Sequence, residues 1–537
     1  MHLEPTGAWW LLGVCAALVV AFLLTAHFTK LKTKLPRFYS WIGAIAIFGG
    51  ALAFLLPIAL NSGFGKDDDG RVLRQLILYA TGGLLGVITL GETHRKNNQE
   101  KEKNENDHTR QVYAERRSRY TKAVEQLANE KAAVRLGGIY TLVGLVDEWL
   151  ADDTLAPEER QKEGQVIINN LCSYIRSPFP LAAKIEEYEA HKKLEELKKK
   201  ESENILIGAE PFTFNALSER FTNTQNYKKP KDITTDYAKF HEEQDVRRTI
   251  FVEMSKRSST FAKKHGKIIE TIPGMWSAFD FDFSRAPIFY PLNNLTIEKP
   301  NFSSGRFYGE ISFLQTTFVR KADFFKAIFI RRADFTGTTF IQDADFTATV
   351  FTHEARFGKA TFIQTADFKV AVFTQNARFS MTTFTQEVRF GEATFTQNAN
   401  FSWATFTQDV SFRKTTFTKK AVFKSATFAQ SAYFTETIFK ENSPIFVYPS
   451  KTSDRIFRAR FATLSGFRRA HDFTVSGGNK PIKLGTATLL GKPFDIPIGT
   501  VLFDPNSWDE ENKKYTRVSE PAKPLDKSND GEEDKPE

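Results

Sequence analysis

The feature that most constrains this chain is a run of phenylalanines. From Phe302 to Phe439 they fall at 302, 307, 313, 318, 324, 329 and onward to 434 and 439, alternating steps of five and six, 26 in register with only Phe325 outside it. The chain holds 51 Phe, far more than an ordinary core needs of one aromatic, so the repeat has to be read before any other element. An 11-residue period can also mark a right-handed helical supercoil. Geometry rejects that here: steps of five and six turn a helix by about 140° and 240°, leaving the rings on two separated stripes. A Thr- and Phe-rich stretch also suits strand better than helix. A stack of short β sides satisfies the pattern. Each step is then one side plus a corner, with Phe filling the interior at the centre of the side. The residue two before it must be small, because it shares that interior. It is small or β-branched almost throughout, as at Ala322, Ala327, Ala333, Thr338, Ala344, Thr349, Ala355, Ala360, Ala366 and Ala371. The first sides fit less well, with Pro300, Gly305 and Ile311.

Segments such as Ala333-Asp334-Phe335-Thr336-Gly337 and Ala366-Asp367-Phe368-Lys369-Val370 resemble the pentapeptide-repeat family, whose sides read as a small residue, a polar residue, Leu or Phe, and two turn residues. The resemblance implies a right-handed quadrilateral β-solenoid. The departure is a sixth residue in every second side, as in Phe340-Ile341-Gln342-Asp343-Ala344-Asp345, so that each coil is two residues longer than the strict repeat and alternate corners are looser. With four sides to a coil, Phe335, Phe357, Phe379, Phe401 and Phe423 stack in one column, and the rod is about 30 Å long at the usual strand spacing. Residues Phe283 to Ile297 read as a degenerate first coil, and Ile445 to Phe503 as the far cap.

Two apolar runs near the N-terminus, Trp9 to Phe28 and Trp41 to Leu60, are each about the 20 residues that a helix needs to cross a bilayer. Val72 to Leu90 is a third, with Arg74 and Gln75 in its first turn where long side chains reach the interface. A cleaved signal peptide does not fit the first run, because residues 1–8 hold no Lys or Arg. The loop after the first span carries Lys30, Lys32, Lys34 and Arg37 without an acid, whereas the next sets Lys66 and Arg71 against Asp67, Asp68 and Asp69. The positive-inside rule then places the first loop in the cytoplasm. The expectation is a multi-pass protein of a bacterial cell membrane, N-terminus outside and the bulk of the chain cytoplasmic.

Five segments follow: a three-helix anchor over 1–91, a charged stalk and cytoplasmic α-helical domain over 92–274, the solenoid over 275–445, its cap over 446–503, and an acidic tail without order over 504–537. In the helical segment, Gly137-Gly138 opens a helix and reads as a point of close packing. The helical run around Arg119-Tyr120, Val134 to Tyr140 and Leu171 to Arg176 is similar to one that precedes the repeats in membrane-anchored pentapeptide-repeat proteins of actinobacteria. That resemblance implies architecture and no activity. Lys184 to Glu201 reads as a surface helix with i,i+4 charge pairs.

The chemistry of catalysis is not written here. No H-E-x-x-H, P-loop, G-x-S-x-G or G-x-G-x-x-G context occurs, and the nine His are scattered. Two cysteines, Cys15 and Cys172, make neither a disulfide framework nor a metal site. His353-Glu354 reads as an exposed pair at a corner. Asp323, Asp334, Asp345 and Asp367 stand one before Phe and point outward, but Arg356, Arg378, Arg389 and Asn400 take that position elsewhere, so no acidic stripe is continuous. No catalytic, cofactor-binding or metal residue is assigned, no cofactor is expected, and the chain is not expected to be an enzyme. The partners expected are the lipid bilayer and a protein on a face of the solenoid, with no small-molecule substrate and no nucleic acid. The function expected is a membrane-tethered scaffold or interaction module. The alternative is a DNA-mimic modulator of gyrase, since some pentapeptide-repeat proteins imitate duplex DNA.

Overall fold

The computed structural model describes residues 4–28, 37–62, 69–207, 210–222, 232–264, 267–450, 452–464, 471–477, 480–512 and 514–525. The basic loop residues Lys30, Lys32 and Lys34, Lys66 to Asp68, and residues 526–537 lie outside that set. The chain forms two compact units, Met1–Arg117 and Ser118–Glu537.

In the first unit, α1 (Pro5–Phe28), α2 (Arg37–Ala59) and the start of α3 (Asp69–Leu127) are each long and apolar enough to cross a membrane. Their large side chains face outward: Trp10, Leu18, Val72, Tyr79, Val87 and Leu90 are all exposed. A water-soluble helix would bury such a stripe. Gly49 of α2 lies against α3, because a Cβ there would stand 2.3 Å from Thr81 Cγ2. The third apolar run does not stop at a loop. Its helix continues through the charged stalk as one element of 59 residues.

The second unit begins with helices that close one end of the solenoid. After the end of α3 come α4 (Ala132–Leu150), α5 (Pro157–Arg176), α6 (Pro180–Ser202), α7 (Glu210–Thr222) and α8 (Ile233–Lys256). The Gly137-Gly138 pair sits inside α4, whose start at Ala132 is earlier than the pair suggests. A Cβ on Gly138 would meet Ala123 O at 2.8 Å, so Gly138 serves close packing of α4 on the end of α3, whereas a Cβ on Gly137 would meet open space. On α6, Ile185, Ala190, Leu194 and Leu197 are buried, the last three with Leu217 of α7. The Lys- and Glu-rich sequence therefore covers only one side of a helix whose other side is core. Phe251 of α8 supplies the end plate: its ring lies 4.6 Å from Phe283 and 6.3 Å from Phe302. Arg247, 2% exposed, ties the plate down by bonding Glu243, Ile175 O and Ser177 O while its guanidinium covers Phe179 and Phe289. A buried guanidinium is tolerated only with such partners.

The solenoid has four parallel sheets of eight, eight, six and nine strands. Within a sheet each strand pairs in register with its counterpart on the next coil, for example Ala322↔Ala344 on the first face, Phe329↔Phe351 on the second, Ala333↔Ala355 on the third and Phe340↔Phe362 on the fourth. Every Phe from 302 to 439 in the five-six register is buried. In one column Phe335, Phe357, Phe379, Phe401 and Phe423 stack at 4.7, 4.8, 5.0 and 5.1 Å with planes within 6°. Columns of opposite faces meet edge to face, Phe346 of the first on Phe357 of the third at 5.5 Å and 88°, so that stacked and edge-to-face contacts, the two arrangements that the ring quadrupole favours, both occur. The ladder runs past its sequence register. Phe446, Phe461 and Phe473 stack on Phe423, Phe428 and Phe434 at 5.2, 4.7 and 5.9 Å.

The two side lengths correspond to two kinds of corner. After Phe324 the chain turns through Phe325 and Lys326 with Ala327 N–H bonded to Phe324 O at 2.9 Å, and Lys326 alone has a positive φ, +56°. That is the pattern of a type II turn. It recurs at every second corner, with Gly at only one rung, Gly337, and Ala348, Lys359, Val370, Met381 and Trp403 at others. Apart from Gly309 in an early coil, the six-residue corners carry no positive φ among the described residues. In several of them the added residue is a side-chain acceptor for the next coil: Asp343 Oδ1 takes the N–H of Thr365, Asn398 Oδ1 that of Lys420, and Asp409 Oδ1 that of Ser431. The extra backbone donor of a loose corner is thus satisfied.

The far cap departs from the expected tail. Strands Arg460–Ala462 and Val501–Phe503 extend the fourth face. Leu484–Leu489 pairs with Lys492–Pro497 and with Lys523–Pro524, and Val518 bridges Phe503. Residues 504–512 and 514–525, in a stretch expected to lack order, therefore carry paired strands. Asp504, the acid that opens this stretch, bonds Asn506 N–H and the Arg517 guanidinium.

Candidate interaction surface

What the rod shows outside follows from which residue of each side leaves the interior. On the second and fourth faces the strand is the pair ending in Phe, so a β-branched residue points outward just before it. The second face presents Ile328, Val350, Val372, Thr394, Thr416 and Ile438. The fourth presents Thr317, Thr339, Thr361, Thr383, Thr405 and Thr427 in unbroken register. None of those six hydroxyls has a hydrogen bond within the protein among the described residues. These two columns, free of charge along those rungs, lie on opposite faces.

The first and third faces carry the charge. Asp323, Asp345 and Asp367 stand on the first, Asp334, Arg356 and Arg378 on the third. The aspartates point outward as expected, and they also hold the turns: Asp323 accepts from Phe325 N–H, Asp334 from Thr336, Asp345 from Thr347 and Asp367 from Lys369, all at 2.9 to 3.0 Å. An Asx bond of this kind fixes a turn that begins at the next residue. The rows are neutralised along and across coils, with Lys321 on Asp323 and Asp345, Arg378 and Arg356 on Glu354, and Arg389 on Asp367 and Glu387.

The interior threonines do a different job. Thr338, Thr349, Thr382, Thr415 and Thr437 are buried, and each hydroxyl donates to a Phe carbonyl 25 residues earlier at 2.7 to 2.8 Å. Each stands two before Phe on a five-residue side, where the sequence asks for a small residue. Size alone marks these positions in the sequence, and the bond from the hydroxyl is a finding of the structure.

His353-Glu354 is not the exposed pair its corner position suggested. Helices α6 and α7 lie across that corner: Glu186 of α6, 4% exposed, binds Arg220 of α7 and Arg331 of the rod. A groove of about 800 Å³ runs between α7 and the column Ile330, Thr352, Thr374 and Thr396, with Leu217, His353 and Arg220 in its walls. Burial, with Arg331 adding to it, holds the His353 imidazole down at about 4, so it is neutral at pH 7. Glu354 is engaged by two arginines. Among the described residues no three His, Cys, Asp or Glu side chains gather as metal ligands would.

A family model described as pentapeptide repeats (9 copies) matches residues 324–372 and again 368–416. No curated protein and no solved structure matches the chain. The matched stretch covers the middle coils, where a small or β-branched residue and Phe recur with least departure, and its stacked parallel coils are what that repeat builds. The Phe-lined solenoid of this chain belongs to the pentapeptide-repeat family.

Proposed function

We propose that the protein is a membrane-tethered, non-catalytic scaffold whose rod holds a protein partner on an outward face. One observation carries the reading: a chain with three helices fit to span a bilayer also carries a rigid array of outward columns, repeated at each coil, two of them without charge. Repeat rods of this kind bind through extended surfaces. The fourth face is the one we favour, because its threonines offer unused hydroxyls and methyls without a charge to desolvate. The basic residues of the first loop, against the acids of the second, favour the N-terminus outside and the rod in the cytoplasm.

Imitation of DNA is disfavoured by charge. A duplex carries about one negative charge per 1.7 Å of axis. Residues 301–440 hold 17 Lys and Arg against 11 Asp and Glu, a balance of 17 − 11 = +6. Asp345, Glu354 and Asp367 of the middle coils are already paired with cations.

The test uses the full chain in native membranes, with a photo-crosslinking amino acid at Thr361 on the fourth face or at Arg378 on the third. The reading expects the protein to resist carbonate extraction and to give a discrete protein adduct from Thr361 that Arg378 does not give. Release by carbonate would remove the tether, and equal or absent adducts from both positions would remove the scaffold face. Recovery of gyrase in the adduct would promote the DNA-mimic alternative.

A further inference from the structure

Near the far end of the rod one lysine is held in an unusual way. Trp403 stands on a turn between the third and fourth faces, 40% exposed. The hairpin of Val447–Pro449 and Ile456–Arg458 brings Tyr448 and Phe457 beside it, and Trp403 and Phe457 meet edge to face at 5.7 Å. Lys424 reaches into the space between these rings. Its Nζ lies 5.1 Å from the Trp403 centroid, 4.8 Å from Tyr448 and 5.8 Å from Phe457. No carboxylate among the described residues pairs with that ammonium. Arg455 lies over the same Phe457 ring at 5.9 Å, and it too has no acidic partner among the described residues.

Three rings around one cation make an aromatic cage, an arrangement that selects for ammonium groups by the negative faces of the rings. Lysine is not its best occupant. A primary ammonium is strongly hydrated and gives up N–H bonds to water on entering, whereas a quaternary ammonium has none to give up. We propose that the cage is a binding site for a zwitterion that joins a quaternary ammonium to an anionic group, of the phosphocholine or betaine class, with Lys424 as the chain's own occupant. The trimethylammonium head takes the place of the Lys424 ammonium, which swings on its four-carbon stem into solvent. The anionic end pairs with Arg455, which explains why a guanidinium without an acid stands at the rim. The site lies wholly within the second unit and does not depend on the membrane reading.

The test is a titration of the full chain, in a detergent without quaternary ammonium groups, by tryptophan fluorescence, with Trp403→Phe as the reference that isolates the Trp403 signal. The probes are phosphocholine, tetramethylammonium and the neutral tert-butyl analogue of choline. Phosphocholine and tetramethylammonium are expected to saturate the signal and the neutral analogue to leave it unchanged. Lys424→Ala should tighten binding by roughly 3- to 30-fold, the range spanned by a cation–π contact. Arg455→Ala should weaken phosphocholine and spare tetramethylammonium. A monomeric short-chain phosphatidylcholine distinguishes the source: binding clearly tighter than that of free phosphocholine assigns a lipid headgroup, and equal or weaker binding assigns a soluble zwitterion. Equal binding of the neutral analogue, or no saturable change in a Lys424→Ala protein that keeps its circular dichroism, overturns the proposal.

Discussion

Replacing Phe379 by Ala removes one ring from the centre of the ladder. That ring is fully buried, stacked on Phe357 at 4.8 Å and on Phe401 at 5.0 Å, with Phe368 and Phe390 edge-on at 5.5 and 5.4 Å. A buried aromatic side chain removes about 150 to 250 Å² from water, or roughly 4 to 6 kcal/mol at about 25 cal/mol per Å² as an upper bound. Phe→Ala substitutions in cores cost about 3 to 5 kcal/mol, and the stacked rod cannot close the cavity because both neighbouring coils are fixed by backbone ladders. The neighbouring Arg378→Glu is the control. It points outward, pairs with Glu354 at 2.6 Å while half exposed, and should cost about 1 kcal/mol or less. Hydrogen exchange of the full chain reads both. Phe379→Ala should raise exchange at amides of the adjoining coils, such as Phe357 N–H to Arg378 O and Phe379 N–H to Asn400 O, and Arg378→Glu should leave them protected. Equal effects of the two substitutions would refute the interior ladder.

Two further outcomes follow from single residues. Val370 sits at φ +58° and 49% exposed, a conformation that costs a residue with a Cβ about 1 to 2 kcal/mol, so Val370→Gly should raise the unfolding free energy in chemical denaturation by a net of about 0.5 to 1 kcal/mol after the entropy of glycine is charged; a loss would show that the side chain packs. His471, whose Nδ1 accepts from Ala432 N–H while Nε2 faces Ala462 O, is pushed down by burial from 6.5 to about 4. The unfolded chain then binds the proton first, so stability should fall as pH drops from about 6.5 to 4; His471→Gln should make that fall shallower, His353 with the same shift supplying the remainder, and an unchanged pH profile would contradict the neutral imidazole.

Most of the solenoid was legible in the sequence because one constraint recurs at every rung: a small residue and Phe must share the interior, and no other packing tolerates the five-six alternation. The corner geometry was written less plainly. Asp, Asn or Ser precedes Phe mainly where a tight turn follows, and Thr, Val or Ile where a loose corner follows, a difference visible only once the two sides are aligned separately. The end of the ladder was hidden because Phe446, Phe461 and Phe473 reach it across insertions, so no register points to them. The order of residues 504–512 and 514–525 was illegible for a related reason. Their strands are short and gain their pairing from distant segments such as Leu484–Leu489, which local composition does not announce. The partner surface has the weakest signal. The threonine column is regular, but β-branched residues are also what a strand prefers on any exposed face.

The central claim is that four sides, alternately of five and six residues, close one coil and that each coil adds one strand spacing to a straight rod. Spin labels at Thr317 and Thr427 lie on the fourth face, five coils apart in the register Thr317↔Thr339↔Thr361↔Thr383↔Thr405↔Thr427. A double electron–electron resonance measurement on the full chain should give a narrow distribution centred near about 24 Å, five spacings of about 4.8 Å. A broad distribution, or a separation half as long again, would contradict the four-sided coil.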